Sequence, residues 1–136
     1  MYIKENINSI KESLPENVNL IAVSKFHSVD DILEAYNTGH RIFGESRVQE
    51  LLEKQPQLPN DIKWHFIGQL QRNKVKHIVP FIKCIHSVDS ERLLNQIDRL
   101  ASNYNRVIPC LLQIHIAEEN TKSGFTEREA WDYLLS

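Results

Sequence analysis

The sequence predicts an α/β fold built from parallel βα units, and three observations predict it. Short apolar runs alternate with amphipathic stretches five times along the chain, which is the pattern of strand, helix, strand. The runs end at Lys25, Gly44, Gly68, Asp89 and Ala117, 19 to 28 residues apart, enough for a crossover helix between parallel strands. The 136 residues are 41% hydrophobic with 4 Gly and 5 Pro, a composition that buries a core rather than staying disordered. An open doubly wound sheet and part of a closed barrel both satisfy this pattern.

Each element has its own signal. Ile3, Ile7, Ile10 and Leu14 form one stripe of a first helix, halted before Pro15. Leu20 to Ser24 is too short for a helix and reads as a buried strand ending at Lys25. Ser28 with Asp31 opens a helix through Ile32, Leu33, Ala35 and Tyr36, and Gly39 stops it. Arg41 to Phe43 is the second strand, followed by a helix carrying Val48, Leu51 and Leu52. Ile62 to Ile67 is the third, followed by a helix around Val75, Ile78 and Val79 that Pro80 ends. Cys84 to Ser87 is the fourth, and Asp89 or Ser90 caps a long helix bearing Leu93, Leu94, Ile97 and Leu100. Ile108 to Ile116 is expected to be the longest strand, and Thr126 with Glu129 opens the last helix through Trp131 and Leu134.

Composition narrows the function. Sixteen basic against 18 acidic residues give a formal charge of -2, with no general attraction to nucleic acid or an anionic membrane. No apolar run approaches the roughly 20 residues of a membrane span. Two Cys are too few for a disulfide scaffold, and the first residues lack the plan of a signal peptide, so a cytoplasmic setting is expected. A complete eightfold β/α barrel needs about 200 residues or more, which this length does not reach.

In either architecture the chemistry sits at the carboxyl ends of the strands. That selects Lys25, the Gly44–Arg47 turn, His65 to Gln69, His86 to Asp89 and the loop Glu118 to Gly124. Lys25 closes an apolar strand, where a partly desolvated amine serves as a nucleophile towards a carbonyl; the competing reading is a lysine that has left the core for solvent. His65 suits stacking on a flat cofactor, metal binding or a structural hydrogen bond. His65, His86 and His115 on successive strands, with Cys84 and Cys110 nearby, allow a metal-dependent hydrolase, although no metal-ligand spacing motif accompanies them. Cys84 and Cys110 read as small buried hydrophobes. Thr121–Gly124 lacks the full phosphate-loop pattern, and Arg72, Lys74 and Lys76 read as a solvated helix face. A non-catalytic interaction domain is the third class.

Five segments together carry a resemblance. Leu20–Lys25, Phe43–Glu50, Trp64–Lys74, His86–Asp89 and Asn120–Gly124 are similar, in order and spacing, to signature segments of the pyridoxal phosphate homeostasis proteins. The resemblance implies part of a (β/α)8 TIM barrel of the alanine racemase N-terminal type, about five of eight units, with residues 1–136 the N-terminal portion of a single cofactor-binding domain. It implies that Lys25 holds pyridoxal 5′-phosphate as a Schiff base, with His65 beside the ring. Ser46 stands where the family usually has Asn, which alters a ring contact, and Lys122 matches a lysine of the family's N-x-x-K-x-G loop. The implied role is a carrier in intracellular vitamin B6 homeostasis rather than a racemase, because this chain has no counterpart of the extra domain that helps build the racemase site. PLP-dependent apo-enzymes are the implied partners, with neither nucleic acid nor membrane among them. Family members continue past the last residue here with segments that hold the phosphate, so weak cofactor binding by these 136 residues alone is expected.

Overall fold

The computed structural model describes residues 2–116 and 124–135. Helix α1 (Tyr2–Ser13) precedes β1 (Ala22–Val23), and the chain then runs α2 (Val29–Tyr36), β2 (Ile42–Glu45), α3 (Val48–Lys54) and β3 (Lys63–Phe66). It continues through α4 (Val75–Ile78), β4 (Cys84–Val88), α5 (Glu91–Ser102), β5 (Cys110–Leu112) and α6 (Glu127–Leu135). All five strands are parallel and lie in the order β1-β2-β3-β4-β5. A doubly wound sheet reverses its strand order at a switch point. Strict sequential order is an arc of a barrel, so topology separates the two architectures that periodicity left open.

One face of the arc is packed by the helices. Phe43, Trp64, Phe66 and Ile85 point to that side and meet Leu51, Ile78, Leu93 and Ile97, all almost fully buried in one cluster. Each such side chain contributes about 1.5 to 3 kcal/mol relative to exposure. The opposite face carries the row Val23, Gly44, His65 and Cys84, matched residue to residue across the first four strands. It is the more open side, with Val23 49% exposed.

The helix starts follow the expected chemistry. Ser28 accepts from the Asp31 N–H, Ser90 rather than Asp89 accepts from the Leu93 N–H, and Thr126 and Glu129 exchange reciprocal bonds. The helix around Val75 is only Val75–Ile78. Its end is closed by Arg106, whose guanidinium donates to the carbonyls of Val79 and Ile82.

The fifth strand corrects the sequence reading. It spans Cys110–Leu112, followed by one isolated bridge between Ile114 and Phe125. Ile114 and the exposed Ile116 lie beyond the last pairing partner on β4, and Ile108 lies before the first. Among the described residues, no helix is long and apolar enough to cross a membrane.

Candidate functional site

Lys25 lies just past β1, in a turn rather than in the strand. The Ser24 N–H donates to the Gly44 carbonyl at 3.0 Å, which ends the pairing with β2. The His27 N–H then donates to the Ser24 carbonyl at 3.0 Å and closes a four-residue turn, Ser24 to His27. Phe26 occupies the third position with φ +66°, a left-handed conformation that a type II turn requires and that usually selects Gly or Asn. Lys25 is exposed, and among the described residues its ammonium has no ion-pair partner. The expected partial desolvation is therefore corrected: beyond Val23 the chain turns out of the sheet, and Lys25 is exposed among the described residues.

Behind this turn lies a buried ionic group on the helix-packed side. Glu45 at the end of β2 is fully buried, and Lys54 in the last turn of α3 is nearly so. The Lys54 Nζ donates to Glu45 Oε2 at 3.0 Å, to Glu50 Oε2 at 2.6 Å and to the Ser24 carbonyl at 2.8 Å. The Ser24 hydroxyl donates to Glu45 Oε2, and the Phe26 N–H donates to Glu50 Oε2 at 2.6 Å. Burial alone would raise the Glu50 carboxyl. The hydrogen bonds from Lys54 and Phe26, and the charges of Lys54 and Arg47, outweigh it and hold Glu50 below the ordinary carboxylate value.

Sequence reasoning singled out the Gly44–Arg47 turn but missed Lys54. The signal was present: a glutamate closing an apolar strand is not buried without a cation, and Lys54 lies one turn after Glu50 on a helix.

His65 lies on the open face of β3, half-buried. Its Nδ1 is 2.8 Å from the His86 Nε2 on β4, so one imidazole donates to the other. Burial lowers both pKa values, and the neighbouring charges of His86 and Lys83 lower His65 further. Cys84 is the third ligand-bearing group of this cluster; the ligand atoms of all three lie within 4.8 Å of one another. The sequence reading grouped His115 with the two histidines and put Cys84 and Cys110 nearby; among the described residues it is Cys84, not His115, that joins the pair. His115 belongs to the bridge with Phe125, and its buried Nδ1 has no hydrogen-bond partner among the described residues. Burial raises both thiols, Cys110 to about 11, in keeping with the reading of the two as small hydrophobes.

Ser46 follows β2 and presses its backbone against Gly68, where an added Cβ would stand 2.1 Å from the Ser46 carbonyl oxygen. It lines an open cleft with Arg47, Gln69, Gln71, Lys74 and His77, not with Lys25 or His65. Gly44, between Val23 and His65 in the row, is covered by the methyl groups of Ile21 and Ile67. Lys122 falls outside the described residues.

These residues fit the aldehyde end of pyridoxal 5′-phosphate. A primary amine is presented at the carboxyl end of β1 by a hydrogen-bonded turn, and imidazoles whose pKa values burial lowers lie on the open face of β3 and β4. They would hold the group through Lys25, with His65 towards the ring.

Comparisons with known proteins identify the family. Residues 2–136 match the family model described as alanine racemase, N-terminal domain. The pyridoxal phosphate homeostasis protein of Synechocystis sp. is 42% identical over 131 residues, which cover 95% of this chain and 60% of that protein. That of Schizosaccharomyces pombe is 39% identical, over 81% of this chain and 47% of its own length. The chain thus spans about half to three-fifths of these relatives. The structure of PipY from Synechococcus elongatus with PLP bound is 40% identical with a TM-score of 0.89, covering 98% of this chain and 62% of that one. Alanine racemase from E. faecalis, 18% identical with a TM-score of 0.75, shares the fold. The match over nearly the whole sequence, on a parallel arc in sequential order, makes this chain a member of the alanine racemase N-terminal-domain family.

Proposed function

We propose that this protein binds pyridoxal 5′-phosphate through Lys25 and serves vitamin B6 homeostasis as a carrier, not as a racemase. The observation that carries the reading is the Ser24–His27 turn, which presents an exposed lysine at the carboxyl end of β1 in a chain 40% identical to a PLP-bound neighbour. The curated relatives, named for pyridoxal phosphate homeostasis, support the carrier role. When bound, the cofactor supplies an aldehyde carbon conjugated to an electron-poor ring. Lys25 supplies the amine that attaches to it. The His65–His86 pair, neutral at pH 7, offers a ring-facing surface without a positive charge. Ser46 and Lys122 belong to the same proposal, with Ser46 in the place of the family's usual Asn. A cytoplasmic setting and PLP-dependent apo-enzymes as recipients complete it.

Incubation with pyridoxal 5′-phosphate, borohydride reduction and peptide mapping test this directly. The expected result is a stable label concentrated on Lys25, abolished as a distinct site in Lys25→Ala. Equal labelling of all exposed lysines refutes it. A zinc-dependent hydrolase is the second reading, favoured only by the His65, Cys84 and His86 cluster; stoichiometric zinc in the purified, colourless protein would turn the assignment that way.

A further inference from the structure

The turn that presents Lys25 is held by more than its own closing hydrogen bond. Phe26 has φ +66°, a conformation that a bulky side chain adopts only when its surroundings impose it. The imposing groups are on both sides of Lys25. Before it, the Ser24 carbonyl accepts from Lys54 Nζ at 2.8 Å, and the Ser24 hydroxyl donates to Glu45. After it, the Phe26 N–H donates to Glu50 Oε2 at 2.6 Å, and the Phe26 ring lies 5.2 Å from the Arg47 guanidinium. Glu45 and Glu50 are themselves joined through Lys54. An ammonium has three protons to donate. Lys54 has three acceptors, Ser24, Glu45 and Glu50, so its nitrogen is fully engaged while that of Lys25 is presented outward.

We propose that Glu45, Lys54 and Glu50 form a positioning device for Lys25, holding the Ser24–His27 turn in the strained conformation that presents its amine to an aldehyde. The role rests on the reading of Lys25 as the cofactor lysine. In the step it assists, the unprotonated amine nitrogen bonds to the aldehyde carbon and gives up its two protons, and the carbonyl oxygen leaves with them as water. None of the three touches the reacting atoms; they act through the backbone of Ser24 and Phe26.

Glu50 is the member to vary, because Glu45 and Lys54 stay paired without it and the fold is kept. Two readouts are taken on the 136-residue protein: amide hydrogen exchange at Phe26 without cofactor, and the rate of borohydride-trapped labelling of Lys25 by pyridoxal 5′-phosphate. Glu50→Ala is expected to speed exchange at the Phe26 amide by about tenfold or more, the loss of one charge-assisted hydrogen bond. It is expected to slow labelling of Lys25 by a similar factor and to leave the exposed Lys4 and Lys63 unchanged. Glu50→Gln keeps an oxygen acceptor for the Phe26 N–H and should retain most of the exchange protection and most of the labelling rate. Faster exchange with an unchanged Lys25 labelling rate overturns the positioning role, as does unchanged exchange. A wild-type protein whose Lys25 labels no faster than Lys4 or Lys63 overturns the cofactor reading, while the exchange experiment still reports whether Glu50 holds the turn.

Discussion

Replacing Lys54 with Met isolates the energetic weight of the buried charges. The Lys54 side chain is 9% exposed and Glu45 0%, and among the described residues Glu45 Oε2 has Lys54 and the Ser24 hydroxyl as partners. The other oxygen, Oε1, is already without a hydrogen bond. Met fills most of the lysine stem's volume, so the lost packing is small. What remains is a buried carboxylate stripped of its cation, which costs about 3 to 5 kcal/mol. For a chain of this size each kcal/mol moves the thermal midpoint by roughly 3 to 5 °C, so Lys54→Met should melt about 10 to 20 °C lower. The double variant Glu45→Gln with Lys54→Met removes the uncompensated charge and should recover at least half of that loss. Urea unfolding of the four proteins of this cycle measures the coupling. A loss under about 1 kcal/mol in Lys54→Met would refute the reasoning. So would a double variant no more stable than the single, because the penalty would then not come from the stranded carboxylate.

Two further perturbations probe the fold around the site. Gly68→Ala places a Cβ 2.1 to 2.8 Å from backbone atoms of Ser46, in a segment fixed by the bond from the Ile67 N–H to the Glu45 carbonyl, so a loss of about 3 kcal/mol or more is expected. Gly39→Ala meets no atom within 4 Å and suffers only from its φ of +98°, so its loss should be smaller, about 1 to 2 kcal/mol; the reverse order in thermal melts would show the contact to be misjudged. Burial lowers the pKa values of His40, His65 and His86. Each then binds a proton more readily unfolded than folded, so stability is level above the ordinary histidine value near 6.5 and falls as pH drops below it, until the folded groups protonate too. Urea midpoints should fall between about pH 7.5 and 5.5, and fall less in His65→Gln with His86→Gln. A flat profile in the wild type would remove the premise.

Much of this fold was legible because its signals are local. A serine or threonine oxygen placed before a helix finds its N–H within three residues, so Ser28, Ser90 and Thr126 mark their helices without help from the rest of the chain. What failed depends on partners distant in sequence. The run Ile108–Ile116 is β-like in composition, yet a strand lasts only as long as a neighbour pairs with it, and β4 offers partners only to Leu112. Strand order is equally invisible to periodicity, since every crossover looks alike whichever side the next strand joins. Lys25 was found by position, but its exposure depends on where pairing stops, at the Ser24 N–H. Lys54 escaped because a glutamate and lysine four apart on a helix usually form a solvated pair. Only the tertiary approach of Glu45 makes that pair structural.

The register between β1 and β2 links these features. Val23 pairs with Gly44, so Phe43 and Glu45 face the helices, and Gly44 faces the open side with Val23 and His65. Successive strand residues alternate between faces, and a shift of one residue exchanges them. A one-residue slip of β2 would carry Glu45 to the open face, away from Lys54, and drive Gly44 towards the helices, where Phe43 and Trp64 now pack. The apolar core therefore selects the register, and the register delivers a carboxylate behind the turn while leaving Lys25 in front of it. Hydrophobic patterning on one face thus fixes the chemistry on the other. Substitutions at Phe43 should accordingly disturb the turn's Phe26 amide as well as the core, although neither Phe26 nor Lys25 belongs to that core.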